Sequence, residues 1–531
     1  MKQDIKQKLP RHDAHHDTPR AIVIQGKSDV SHRSRINTVH AKECSHAVRS
    51  ILAVCLVITR KKDLIVTHNE GQSDQAAMAA SDLLELLFRA YRGGLSVRLW
   101  NGTSMRLGKA VEKPLPPFTL IFRSPQAVLN LAIGRAPLRW IDAYLREDID
   151  IDGDLFSALA LKDHLGNLSI RGLDRLEAIT AALRLKLAIL RSTPARHHHP
   201  RLHSRRVNLR SRTANLETIA FHNTLPSAFY GLWLDESMVY SCAYFKRIDD
   251  ELEQAQQQKL HLICRKLMLK RGDHLLDIGC GWGALIIYAA RNFGVRAHGI
   301  TTNQQQMDIT REKICEAGLQ DLVTVEVADY HTHPGEEIYD KVTSLGMFEH
   351  VGLENLPRYF TAVYRLLKPG GLFLNQGITH DVHGWKETLS TLFIDHYIFP
   401  EGQLDTVSHI QQAMEHCLFE IADVEALRHH YALTLKRWVE RLEANKDQVL
   451  GLVSKVTYRT WRLYMTACAL EFEAGDLGAY QIMSSKRAGS FLALPLTRNH
   501  LMAKGKKGCR SSLKDGGGRD DLASLMFSYR A

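Results

Sequence analysis

The chain has 531 residues, 45% hydrophobic and 24% charged, a balance that gives a globular protein a sizeable core and excludes a fibrous or wholly disordered chain. A formal net charge of +11 favours anionic partners, so on charge alone nucleic acid and an anionic membrane surface both stay open. Nine cysteines without a C-x-x-C pair argue against a disulfide framework or a cysteine zinc site, and for a reducing compartment.

Residues 1–75 are polar, rich in His and Lys and without periodicity, and read as a poorly ordered leader. Its longest apolar run, "ILAVCLVI" (51–58), is about half the ~18 residues a bilayer span needs, so it reads as a buried strand or helix. The polar, His-rich stretch before it fits a signal peptide poorly. From residue 76, "ASDLLELLFRAYRGG" predicts an amphipathic helix. "LSVRLWNGTSMRLG" then predicts a hairpin turning at Asn101-Gly102. With the strand and helix of "FTLIFRSPQAVLNLAI", these elements predict a small α+β domain over 76–185. Residues 186–214 form a basic linker in which "PARHHHPRLHSRRVNLRSR" (194–212) holds no acid. It reads as a solvated connection or as a surface that also meets anionic lipid headgroups. Metal binding by His197–His199 has only residue type in its favour.

Over 215–495 the pattern changes. Helices at Ser227–Trp233 and Leu252–Leu269 precede an alternation of strands ("HLLDIGC", "VRAHGI", "LVTVEVAD", "DKVTSLGMF", "LFLNQGI") and helices. Such alternation predicts βαβ units and a doubly wound, Rossmann-like parallel sheet, making the fold class α/β. The Gly/Lys-rich tail, 496–531, reads as flexible.

"LLDIGCGWG" (275–283) puts Gly279, Gly281 and Gly283 between a strand and a helix, directly after Asp277. Glycines there allow a tight turn and close approach of a ligand to the backbone, as in dinucleotide sites, though a purely structural turn is the alternative. A dinucleotide site wants Asp or Glu at the end of the next strand, where this chain has Thr301 and Thr302. With Asp329 closing the third strand, the pattern points to S-adenosylmethionine. "SLGMFEHVG" (344–352) sets Glu349 at the end of the fourth strand. It is either a helix-start carboxylate favoured by the macrodipole or a group that does chemistry. No N/D-P-P-Y/F base-flipping motif stands there, so methylation of nucleic acid is disfavoured.

With "MVYSCAYF" (238–245), "GITTNQQQ" (299–306), "YRLLKPGG" (364–371) and "YIFPEGQL" (397–404), the region 215–490 resembles the cyclopropane-fatty-acyl-phospholipid synthase family. That family includes the mycolic acid cyclopropane synthases and belongs to the class I methyltransferases. "LREDIDIDGDLFSAL" is similar to the family's smaller N-terminal lipid-binding domain. The resemblance implies methyl transfer from S-adenosylmethionine to a cis double bond in a phospholipid acyl chain, with a bound bicarbonate taking the proton that is lost on ring closure. It implies Tyr240, Ser241, Asp277, Gly279, Gly281, Gly283, Thr301, Thr302, Gln306, Asp329 and Tyr330 at the cofactor. Carried over in the same way, Cys242, Glu349, Gln376 and Tyr431 surround the reaction. Cys468 reads either as an active-site residue or as a buried core cysteine. No metal is implied. The expected partner is the bilayer surface, met from the cytoplasm at the inner membrane, with no nucleic acid and a homodimer left open.

Two departures stand out. Gln376 occupies the position of a family histidine that contacts the bicarbonate, and Asn223-Thr224 after His222 replace a Tyr–Asp pair at the mouth of the site. Glutamine donates and accepts hydrogen bonds but does not titrate. The departures keep other outcomes in view: a methyl-branched or methylene product, another acceptor, or a non-catalytic lipid-binding relative.

Overall fold

A computed structural model of the protein describes residues 69–109, 116–133, 138–161, 164, 173–192, 225–380, 393, 398, 403–489 and 494–502. The apolar run at 51–58, the basic stretch at 194–212 and the departure at His222–Thr224 lie outside these residues, as does the tail beyond 502.

The N-terminal part begins with helix α1 (Asn69–Phe88). Strands β1 (Leu95–Arg98) and β2 (Ser104–Leu107) pair antiparallel, Arg98 facing Ser104, as the Asn-Gly signal predicts. β3 (Phe118–Phe122) runs parallel to β1, and β4 (Ile149–Gly153) antiparallel to β3, giving the order β2-β1-β3-β4. Between β3 and β4 lie α2 (Pro125–Ile133) and α3 (Leu138–Leu145). α4 (Leu155–Leu159) and α5 (Leu173–Ser192) follow. Phe88, Val97, Phe122 and Leu185 lie fully buried at their common core.

The larger part opens with α6 (Ser227–Gly231) and α7 (Leu252–Lys266). α7 ends short of the expected Leu269 because Met268 takes a left-handed φ of +48°, which no helix continues. Strands β5 (His274–Ile278), β6 (Arg296–Thr301) and β7 (Val323–Val327) alternate with α8 (Ala284–Phe293) and α9 (Gln304–Glu316). β8 (Tyr339–Leu345), α10 (Phe348–Val351), α11 (Leu356–Leu366) and β9 (Leu367–His380) follow. The chain closes with α12 (Val407–His416), β10 (Phe419–Ala426), α13 (Arg428–Ala444), α14 (Lys446–Leu452), α15 (Lys455–Ala474), β11 (Leu477–Lys486) and α16 (Asn499–Met502).

The seven-stranded sheet has the order β10-β11-β9-β8-β5-β6-β7. β11 runs antiparallel to both neighbours, and the pairs from β9 to β7 are parallel. This is the doubly wound α/β sheet that the strand–helix alternation predicts, made mixed by the antiparallel β11. Winding proceeds from β5 outward to β7, then resumes at β8 on the other side of β5. That reversal opens a crevice beyond the carboxyl ends of β5 and β8, where open α/β sheets bind their ligands. The glycine turn follows β5 and Glu349 follows β8, so both border it.

Helices α13 and α15 contribute buried faces to the core around this end of the sheet, with Trp438, Trp461, Met465 and Phe472 among the buried side chains. α15 also holds the small sheet. Arg459 donates to the carbonyls of Tyr144 (2.8 Å) and Ile149 (2.9 Å) and to Asp150 (3.0 Å), its guanidinium 3.9 Å from the Tyr144 ring centre. Arg462 reaches the Tyr144 hydroxyl (3.2 Å) and Glu443 (2.5 Å). Among the described residues, no helix is long and apolar enough to cross a membrane.

Candidate active site

The turn after β5 is left-handed at Gly279, Gly281 and Gly283. At Gly283 an added Cβ would come within 2.4 Å of Thr310 on α9, so the turn packs tightly there. At Gly281 a Cβ would meet nothing within 4 Å, and the backbone faces open space as a ligand cradle requires. Asp277, buried just before the turn, accepts a hydrogen bond from Thr343 Oγ1 at 2.7 Å. Burial pushes its carboxyl up to about 6, against the pull of Thr343 and of Lys259.

Lys259 is a member of the site that the sequence reading missed. It is fully buried on α7 and donates to Ser241 Oγ at 2.9 Å. Burial lowers its pKa to about 8, and Asp235, Cys242 and Asp277 oppose that fall. The sequence does hold a signal. Leu252, Ala255, Lys259 and Ile263 share one stripe of α7, so a lysine sits where the helix faces the core.

At the end of β6, buried Thr301 donates to Gln306 Oε1 (2.8 Å), and Asn303 caps α9 by accepting from the Gln306 N–H (3.1 Å). The structure therefore joins Thr301 and Gln306, while Thr302 is exposed. Asp329 is also exposed and accepts from the His331 N–H (2.9 Å). Tyr330 beside it is half-buried, packed edge-on against Tyr359 at 5.1 Å. Burial, with Asp329 adding, pushes its phenol up to about 12.

Glu349 lies in the first turn of the short helix α10 and folds onto β9, where Oε1 accepts from the Ile378 N–H at 2.8 Å. Its Oε2 is enclosed and has no hydrogen-bond partner among the described residues. Burial pushes this carboxyl up to about 7. Burial also favours the neutral ring of His350. Tyr431 on α13 stacks on Phe472 at 4.7 Å. Its phenol is driven up by burial and then by Cys242, Glu349 and Cys468, all near enough to oppose its ionisation. Burial raises the thiols of Cys242 and Cys468 well above the usual range, so both stay protonated. Tyr240 lies among Tyr230 (5.8 Å), Trp233 (5.7 Å), Trp438 (5.4 Å) and Trp461 (6.2 Å). Cys242, Tyr431, Cys468, Glu349 and Tyr240 thus gather at one aromatic-walled place.

Gln376 has other ties. Its Oε1 accepts from Gln481 Nε2 (2.9 Å), Gln481 accepts from Lys266 Nζ (2.8 Å), and Lys266 pairs with Glu425 (2.5 Å). The residue is thus the end of a buried polar chain across β9, β11 and α7. An aromatic space with a carboxyl poised near neutrality and its thiols protonated suits reaction at an apolar group, not thiolate attack.

Residues 210–482 match the family described as mycolic acid cyclopropane synthetase. The chain is 36% identical over 411 residues to a probable fatty acid methyltransferase of Pseudomonas putida, a match spanning 77% of this chain and 96% of that protein. It is 40% identical over 267 residues to the cyclopropane-fatty-acyl-phospholipid synthase of Escherichia coli (strain K12), spanning 50% of this chain and 66% of that protein. The solved structure of the cyclopropane synthase MmaA2 from Mycobacterium tuberculosis matches with a TM-score of 0.49 at 32% identity, covering 51% of this chain and 98% of that one.

Proposed function

The chain belongs to the mycolic acid cyclopropane synthetase family, and from that premise we propose that it is an S-adenosylmethionine-dependent methyltransferase acting on an unsaturated phospholipid acyl chain. The cis double bond would take the methyl carbon as its bond to the sulfonium sulfur breaks and S-adenosylhomocysteine leaves, and a bicarbonate held beside Glu349 and Tyr431 would accept the proton lost on closure of a cyclopropane ring. S-adenosylmethionine supplies an electrophilic methyl group on a sulfonium.

The residues present fit both groups. The open backbone face at Gly281 and the Thr301–Gln306 pair beyond the neighbouring strand offer the cofactor a cradle. Tyr230, Trp233, Tyr240, Trp438 and Trp461 exclude water from an acyl chain and from the cationic character that develops on it. The observation that carries the reading is Glu349. With Oε1 held by the Ile378 N–H and a pKa near 7, its neutral form can donate from the unpartnered Oε2 to an anion oxygen. Tyr431, which keeps its proton, supplies a second donor. The positive net charge suits work at an anionic bilayer surface reached from the cytoplasm.

A second reading ends in a methyl-branched or methylene chain, and Gln376 favours it. Its carbonyl is engaged by Gln481, which leaves an amide donor in place of a titrating imidazole.

The test is expression in a bacterium lacking its own synthase, with fatty acids profiled by mass spectrometry. Gain of one CH2 with loss of the double bond at a cyclopropane retention time supports ring closure. A methyl-branched or methylene product overturns ring closure and keeps the methyltransferase. Unchanged lipids with retained cofactor binding point to a non-catalytic relative.

A further inference from the structure

At the β6–β7 edge of the large sheet lies a group that the reaction above does not use. His298 on β6, Glu326 on β7 and His333 in the loop beyond Tyr330 present ligand atoms within 4.8 Å of one another. Glu326 Oε1 is 3.5 Å from His298 Nε2 and 3.3 Å from His333 Nδ1. Ligand atoms of a tetrahedral site with bonds of about 2.0–2.1 Å stand roughly 3.3 Å apart, so both spacings fit its edges. Behind the rings, the Tyr339 hydroxyl lies 2.7 Å from His298 Nδ1 and 2.9 Å from His333 Nε2. An outer partner on the far ring nitrogen is how metal-binding imidazoles are oriented.

Counting protons sharpens the point. The Tyr339 hydroxyl carries a single proton and stands between two ring nitrogens. One ring can accept that proton. The other must donate its own N–H to Tyr339, and its second nitrogen then turns a bare lone pair toward the Glu326 carboxylate. His333 matches this description: it is 4% exposed, and its Nδ1 makes no hydrogen bond among the described residues. A lone pair enclosed against a carboxylate is unfavourable unless a positive charge stands between them. A cation there would take lone pairs from both rings and the carboxylate, while both inner N–H groups donate to the Tyr339 oxygen.

The geometry points to a divalent transition-metal site formed by His298, Glu326 and His333, with zinc the ion that suits two imidazoles and one carboxylate and with a fourth position for water. The site fastens the loop that carries Asp329 and Tyr330 to the sheet.

The test uses the full chain without an added histidine tag, stripped with a chelator and titrated with zinc, beside Glu326→Gln. Glu326 is half-exposed, so the variant should melt with the parent in zinc-free buffer. The parent is expected to take up one zinc at least tenfold more tightly than the variant and to melt higher once zinc is present. With Co(II), the parent should show the intense visible absorption of a tetrahedral ion and the variant should not. Identical zinc uptake by both proteins assigns the metal to other histidines and overturns the site. A weak, six-coordinate cobalt spectrum in the parent overturns it equally.

Discussion

The turns after β5 and after β8 are built from similar parts and finished differently. Each leaves a parallel strand at the same crevice, bends through glycine and carries a buried carboxyl that burial raises: Asp277 to about 6, Glu349 to about 7. Asp277 is answered by the Thr343 hydroxyl and by a buried cation, Lys259. Glu349 has one backbone N–H, and its second oxygen faces no partner among the described residues. A carboxyl whose surroundings complete it holds a turn in shape. One left half-answered in an enclosed place awaits something the chain itself does not supply.

The contrast can be broken most severely at Lys259. Lys259→Met leaves Asp235 and Asp277 without the cation they share and should cost about 3 kcal/mol of folding stability, read by denaturant unfolding. Loss below about 1 kcal/mol would show that Asp277 does not depend on it. Next comes Glu349→Gln, which keeps an acceptor for the Ile378 N–H but removes the titrating proton. Product formation should fall about 100-fold or more, while calorimetry finds S-adenosylmethionine binding nearly unchanged. Equal loss of both would make Glu349 structural. Gly281→Ala places a methyl group in the open space over the turn, so cofactor affinity should fall about tenfold, and Gly283→Ala should instead lower stability through its clash with Thr310.

The smallest effect is on pH dependence. The folded-state pKa of Glu349 lies above its ordinary value of 4.5, so the stability it contributes is full below about 4.5 and is lost as pH rises through about 7. The stability of the parent relative to Glu349→Gln should therefore decline across that window, by on the order of 1 kcal/mol. A flat difference would place this carboxyl in solvent.

The glycine turn was legible because a strand buried on both faces is written as an apolar run, as in "HLLDIGC", while β8, with Lys341, Thr343 and Ser344 buried, was legible through the strand–helix alternation around it. β11 was not, since Gln481, Ser484 and Ser485 are buried there as polar residues and break the run. The setting of Gln376 could not be read locally either, because its partner Gln481 lies 105 residues away. Lysines 259 and 266 were overlooked for a simpler reason: charge suggests solvent, although their positions on the stripe of α7 face the core. The three-ligand group at β6, β7 and the following loop has no short-range spacing, and a search built on cysteine pairs passes over it.

Helix α15 places Trp461 in the aromatic wall while Arg459 and Arg462 hold Tyr144 of α3 and Ile149 and Asp150 of β4. Both guanidinium groups are almost wholly buried. Cutting the chain between the two sheets would therefore leave cations facing lost acceptors along the helix that carries Trp461. Composition draws a border between two domains, but cooperative unfolding should ignore it, because the helix that carries Trp461 is fastened to the smaller part through its two buried guanidinium groups.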